Sequence, residues 1–133
     1  MKTDVVIVGA GPAGSASAMC LRQEGIRAVI VEAEMFPRFH IGESLTGAGG
    51  EVLRELGLEA EMYKRQHPVK QGVKVYGQSL ESSWFVPVTG RDANWHLCDR
   101  DTWQVRRSAF DKMLLDEAVP VVRPLYTGRL SSH

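Results

Sequence analysis

The stretch "DVVIVGAGPAG", residues 4–14, limits what this chain can fold into more than any other. A continuous run of β-branched residues ended by glycine, residues 4–9, is the pattern of a strand buried on both faces of a parallel sheet. "PAGSASAMCLRQE", residues 12–24, then reads as a helix. Its proline sits in the first turn, where a missing N–H costs nothing, and Gly25 supplies the stop. "RAVIVEA", residues 27–33, is a second apolar strand. Strand, helix and strand in about thirty residues form a βαβ unit, whose crossover is expected to be right-handed.

"GAGPAG", residues 9–14, is a G-x-G-x-x-G placed between the first strand and the helix, where the pattern carries a mechanism. Gly9 permits the tight turn, Gly11 removes the side chain that would block a pyrophosphate, and Gly14 lets helix and strand pack closely. Ala18 extends that contact on the same helical face. With Pro12 and Ala13 the motif opens the helix, whose end offers unpaired N–H groups and a partial positive charge to a diphosphate. Glu32 closes the second strand; a carboxylate there accepts from both ribose hydroxyls and repels a 2′-phosphate. NADP is disfavoured, which leaves FAD or NAD.

Downstream, residues 46–56 read as a helix weakened by Gly47, Gly49 and Gly50, and residues 59–66 as a short second one. Beyond Pro68 the period becomes two. "VKQGVKVYG" (69–77) and "SSWFVPV" (82–88) are expected strands, joined as a hairpin through residues 77–82. On the first, Lys70, Gly72, Lys74 and Tyr76 face one way and Val69, Val73 and Val75 the other. "TWQVRR" (102–107) is a further short strand leading into "SAFDKMLLDEA" (108–118). There Ser108 and Asp111 resemble a capping box, and Phe110, Met113, Leu114 and Ala118 make one apolar face. Trp84, Phe85, Trp95 and Trp103 are expected to be packing residues. Residues 119–133 form an irregular tail, so the reading is one domain, 1–118, followed by that tail.

At 133 residues one core is expected, and sixteen basic against sixteen acidic side chains leave no global field for nucleic acid. No run of 18 apolar residues occurs, so no membrane span is expected. Cys20 and Cys98 lack CxxC spacing, which suggests neither zinc nor a disulfide framework but buried free thiols in a cytoplasmic protein. His40, His67, His96 and His133 are isolated in sequence, so no metal site or nucleophilic triad is indicated.

"VVIVGAGPAGSASA", "FPRFHIGESL", "PVKQGVKVYG" and "WQVRRSAFDKMLLDEA" resemble, in that order, the N-terminal part of the flavin-dependent halogenases, within the FAD-dependent monooxygenases and geranylgeranyl-reductase-like flavoproteins. The resemblance covers residues 1–118 and implies FAD as cofactor, in an incomplete Rossmann-type (βαβ) α/β FAD-binding domain with a small antiparallel β-hairpin insertion. It makes the loop 36–45 a cofactor clamp. Arg38 would neutralise the diphosphate or bond the ribityl chain, and Gly42 to Ser44 would bring N–H groups near the flavin. Lys70 matches the lysine that holds hypohalous acid or becomes a haloamine, and Arg107 matches an arginine reaching the cofactor from the last helix. For Arg38 and His40 the plain alternative is a solvated loop; for Lys70 and Lys74 it is a half-buried strand with two lysines facing water.

The resemblance implies reduced flavin and oxygen acting on a small-molecule substrate and halide. The reduced flavin would come from a separate reductase, since a single dinucleotide fingerprint occurs in the chain. Other family segments, a Gly-Asp motif at the ribityl chain and a W-x-W-x-I-P motif, are absent from these residues. The sequence therefore reads as the N-terminal FAD-binding part of an oxidoreductase, most like a halogenase or aromatic monooxygenase. A truncated, non-catalytic nucleotide-binding remnant and a reductase of the geranylgeranyl type, which needs no Lys70, are the alternatives. Missing neighbour strands are expected to leave apolar faces uncovered, with poor flavin retention and poor solubility.

Overall fold

The computed structural model describes residues 2–79 and 81–118, so the expected irregular tail lies outside the described residues. In chain order the elements are β1 (Val5–Val8), α1 (Pro12–Gln23), β2 (Ala28–Val31), α2 (Gly47–Glu55), α3 (Glu59–Lys64), β3 (Val69–Lys70), β4 (Gly72–Tyr76), β5 (Ser83–Pro87), β6 (Thr89–Arg91), β7 (Leu97–Asp99), β8 (Thr102–Trp103) and α4 (Arg107–Ala118). The described residues fall into two compact units, residues 2–41 with 106–118, and residues 42–105.

The first unit is the βαβ motif with one added helix. β1 and β2 pair in parallel, with Val5 opposite Ala28 and Val8 opposite Val31, and α1 makes the crossover between them. α4 packs on α1. Small and apolar side chains from both helices and β2 fill the interior, among them Ala18, Met19, Ile30, Phe110, Met113 and Leu114. β2 is buried as expected, but β1 is not buried on both faces: Val6 is 58% and Val8 84% exposed. β1 has cover on one side only within this unit, which leaves the expected uncovered apolar surface.

The expected cap of the last helix is also corrected. α4 begins at Arg107, one residue before Ser108, so Ser108 lies inside the helix and Asp111 bonds Arg107 instead.

In the second unit Thr46 caps α2, its Oγ1 accepting from Gly49 N at 3.2 Å. The glycines expected to weaken this helix allow close packing. A Cβ on Gly50 would lie 3.1 Å from Thr102 Oγ1, and one on Gly47 would strike the Thr89 carbonyl oxygen.

The expected single strand over 69–77 is broken at Gln71. Val69 and Lys70 pair antiparallel with Trp103 and Thr102, whereas β4 pairs with β5 as the expected hairpin. Lys70 therefore does not share a sheet face with Lys74 and Tyr76. A second hairpin, β6 with β7, carries no strong alternation and was not expected.

Trp103 is fully buried, with the Tyr63 ring edge-on at 5.7 Å and the Arg54 guanidinium 5.2 Å from its centroid. The other three aromatics are not core residues: Trp84 is 54%, Phe85 58% and Trp95 75% exposed. Nor are the thiols buried, since Cys20 is exposed and Cys98 half-buried. Among the described residues no helix is long and apolar enough to cross a membrane, and no group of three or more His, Cys, Asp and Glu side chains could hold a metal.

Candidate functional site

The glycine turn stands at the junction of β1 and α1. Gly9 has φ +97°, a conformation that L side chains rarely adopt, and its N–H donates to Val31 O at 2.8 Å. A Cβ on Gly14 would strike the Gly9 carbonyl oxygen and lie 3.2 Å from Ile7 Cγ2, so close helix-to-strand packing is the reason for glycine there. Gly11 differs. Its Cβ would meet only Arg38 Nη2, at 3.7 Å, so the turn is open on the side where Arg38 reaches over it.

Gly11 is the N-cap of α1, and no side chain caps the helix. The first N–H groups of a helix have no partner within it and need one from outside. Pro12 has no N–H, which leaves the amides of Ala13 and Gly14 at the helix end, while Ser15 N already donates to Gly11 O at 3.0 Å. An uncapped positive helix end beside a side-chain-free turn suits a diphosphate.

Glu32, 8% exposed, follows β2. Its Oε2 accepts from Ala10 N at 2.7 Å, inside the glycine turn, and its Oε1 from Glu34 N at 2.8 Å. Burial pushes this carboxyl up, but the N–H groups of Ala10, Glu34 and Ala33, with the Arg38 charge, outweigh that and hold it below the usual carboxylate range. It therefore stays ionised. A carboxylate has about four acceptor positions, so these three N–H groups leave capacity for a ribose hydroxyl.

Arg38 is not a solvated loop residue, since its side chain is only 13% exposed. Nε lies 3.0 Å from Glu34 Oε2, Nη1 3.5 Å from Asp111 Oδ2, and the guanidinium carbon 4.7 Å from the Phe36 ring centroid. His40, by contrast, is exposed. Arg107 opens α4 and is held by Asp111 through Nε at 2.7 Å and Nη2 at 3.0 Å, while its Nη1 donates to Ile41 O at 2.6 Å. Sequence does not separate Arg106 from Arg107; the structure does, leaving Arg106 exposed and Arg107 engaged. This unit thus assembles Gly9, Gly11, Pro12, Ala13, Gly14, Glu32, Arg38 and Arg107.

Gly42, Ser44 and Lys70 belong to the second unit. Gly42 has φ +90°, after which the chain runs beside β8: Val105 N donates to Glu43 O at 2.7 Å, Leu45 N to Trp103 O at 3.1 Å, and Ser44 stands opposite Gln104. Ser44 is exposed and does not cap α2, a role that Thr46 takes. Lys70, at the end of β3, donates from Nζ to Leu45 O at 3.1 Å. The loop singled out in sequence and the lysine are therefore joined, through a main-chain carbonyl that no residue type announces.

Asp111 is the other residue that sequence reasoning misplaced; its signal was the Arg107-to-Asp111 spacing of four on a helix. Two pockets of about 490 and 560 Å³ lie in the second unit, the first beside Arg54, Tyr63 and Phe85, the second beside Val52, Trp95 and Leu97. Neither is lined by Lys70.

The model of the FAD binding domain family matches residues 2–121. A 1H-pyrrole-2-carbonyl-[peptidyl-carrier protein] brominase from Pseudoalteromonas luteoviolacea is 44% identical over 116 residues, covering 87% of this chain and 26% of the brominase. A flavin-dependent halogenase from Armillaria mellea is 32% identical, covering 96% of this chain and 24% of its own length. Among solved structures, the flavin-dependent brominase Bmp2 superposes with TM-score 0.78 at 43% identity, over 95% of this chain and 29% of Bmp2. A flavoprotein/dehydrogenase from Cytophaga hutchinsonii does so with TM-score 0.73 at 37% identity, over 90% and 28%. The chain spans about a quarter of the length of the curated relatives it matches. Family model, fold and glycine turn agree: the chain belongs to the FAD-binding domain family, its cofactor is FAD, and its matches there include flavin-dependent halogenases of bacteria and fungi.

Proposed function

We propose that residues 1–118 are the FAD-binding segment of a flavin-dependent halogenase, and that the glycine turn holds the adenosine diphosphate part of the cofactor. The observation that carries this is the turn itself: it is open above Gly11, ends in an uncapped helix, and has Glu32 bonded to Ala10 N and Arg38 above it. The amides of Ala13 and Gly14 and the Arg38 guanidinium take the diphosphate, Glu32 accepts from the ribose, and Arg107 serves the cofactor from the start of α4; in the second unit, Gly42 and Ser44 are the residues proposed for the flavin. FAD, when bound, supplies the redox chemistry, and the protein supplies position.

Lys70 is the residue proposed for halogen transfer. An ammonium has three donors, and the bond to Leu45 O uses one while fixing where Nζ sits. The others can hydrogen-bond a hypohalous acid and polarise it toward a small organic substrate. Haloamine formation instead requires the neutral amine. A separate reductase supplies the reduced flavin. The compartment proposed is the cytoplasm, where thiols such as the exposed Cys20 stay reduced.

The test replaces the matching segment of the Pseudoalteromonas brominase with residues 1–118 and supplies FAD, a reductase, oxygen and halide. Halogenated product is expected, and Lys70→Ala should abolish it while the flavin remains bound. A chimera that binds flavin and halogenates equally well with alanine at position 70 would remove Lys70 from the mechanism. The likeness to the flavoprotein/dehydrogenase favours a second reading, a reductase needing no lysine; flavin-dependent reduction unaffected by Lys70→Ala would favour it.

A further inference from the structure

We infer that Asp111 is a positioning residue for cofactor binding: buried behind the site, it holds Arg38 so that the guanidinium spans from its own carboxylate to the diphosphate above Gly11. The inference rests on the reading of the glycine turn as the diphosphate site and adds to it a residue that touches no ligand.

Asp111 is fully buried on α4. A lone carboxylate in that position would be strongly unfavourable, and buried charges persist where they are paired. Here the pairing is twofold. Arg107 clasps both oxygens, Nε to Oδ1 at 2.7 Å and Nη2 to Oδ2 at 3.0 Å, and Arg38 Nη1 lies 3.5 Å from Oδ2. One acid therefore faces two guanidinium groups, and Glu34, 3.0 Å from Arg38 Nε, supplies the second negative charge.

The orientation of Arg38 is the consequence. With Nη1 toward Asp111, Nε beside Glu34 Oε2 and the Phe36 ring against its face, the guanidinium cannot turn without losing a contact. Its remaining nitrogen, Nη2, is the atom closest to the open side of Gly11, 3.7 Å from where a Cβ would stand. Nε and Nη1 are buried with no aligned hydrogen-bond acceptor among the described residues, although both oxygens lie at ion-pair distance. The contacts behind Arg38 thus aim it without saturating it. The open turn beside Nη2 lies at the uncapped, positive end of α1, so the arrangement fits a bound diphosphate. The planar fork of arginine can bridge two anions; the point charge of lysine cannot do both at this spacing.

The test titrates the 133-residue chain with ADP and with adenosine, following amide chemical shifts, which detect millimolar binding. Asp111→Asn keeps the shape and removes the charge. About a tenfold or greater loss of ADP affinity is expected, the worth of one charge-assisted hydrogen bond, with adenosine affinity unchanged. Unchanged ADP affinity overturns the inference. So does an equal loss of both ligands, which is what a purely structural role produces.

If Asp111→Asn does not fold, Arg38→Lys decides instead. It retains the charge but not the fork, so the same selective loss of ADP is expected, and an undiminished preference for ADP refutes the bridge. Gly11→Ala separately checks the underlying reading, because its methyl makes only ordinary contact with Arg38 Nη2, at 3.7 Å, and otherwise stands where the diphosphate would lie. If that variant binds ADP like the parent, or the parent binds none, the diphosphate site itself is wrong and the role of Asp111 falls with it.

Discussion

Replacing Gly14 by alanine sets two effects of opposite sign against each other. Alanine is the better helix former, and Gly14 lies in α1, so propensity alone would stabilise the chain by about 1 kcal/mol. Against this, the new methyl would strike the Gly9 carbonyl oxygen while lying 3.1 Å from Gly9 C and 3.2 Å from Ile7 Cγ2. Two of those atoms are main chain and cannot rotate away, so α1 must ride off β1. Overpacking costs roughly 1–3 kcal/mol, and a main-chain obstacle places this case near the top of that range. About 3 kcal/mol less about 1 leaves a net loss of about 2 kcal/mol, or about 8 °C in melting temperature for a domain near one hundred residues. Because Gly9 belongs to the turn proposed to hold the diphosphate, FAD affinity should fall too.

Gly25→Ala is the comparison. Gly25 has φ +72° but open space around it, so it should lose about 1 kcal/mol to left-handed strain and leave FAD affinity alone. Melting curves by circular dichroism and a flavin titration read both variants. A Gly14→Ala protein that melts at or above the parent temperature would refute the packing argument.

Three further outcomes follow from the same geometry. The Glu32 carboxyl is held below its usual range, so its contribution to stability should be complete above the ordinary glutamate value of about 4.3 and be lost as pH falls through the lowered one. In Glu32→Gln that acid-side loss should shrink when midpoints of urea unfolding are compared across pH; an identical pH dependence would contradict the bonds to Ala10 and Glu34. Trp103→Ala, at a fully buried site, should cost about 3–5 kcal/mol in urea unfolding. Trp95→Ala, at 75% exposure, should stay within about 0.5 kcal/mol of the parent in the same experiment.

The βαβ unit was legible in sequence because every local signal there agreed. An apolar run, a glycine turn, a proline in the first helical turn and a glycine stop all specify one arrangement, and observed boundaries lie within two residues of the expected ones. Residues 69–77 were less legible. Alternation of side chains cannot tell one strand from two that pair with different partners, and the break at Gln71 depends on Trp103 and Thr102 capturing Val69 and Lys70. The β6 and β7 pair, three residues each, is too short to carry a period at all. Among the four aromatics expected to pack, sequence did not rank them, and burial placed only Trp103 in the core.

What the amino-acid order determined by itself is the glycine turn, since each glycine in it answers to backbone geometry between neighbours close in the chain: the positive φ of Gly9, the open side of Gly11, the contact of Gly14 with Gly9. The tertiary structure alone decided how the charged side chains are spent. Asp111, four residues from Arg107, meets Arg38 across 73 positions of chain, and Lys70 meets the carbonyl of Leu45. Charges are attracted through space rather than along sequence, and a carbonyl is the same on every residue, so neither pairing leaves a mark in the letters. Both appear only once packing has brought the segments together.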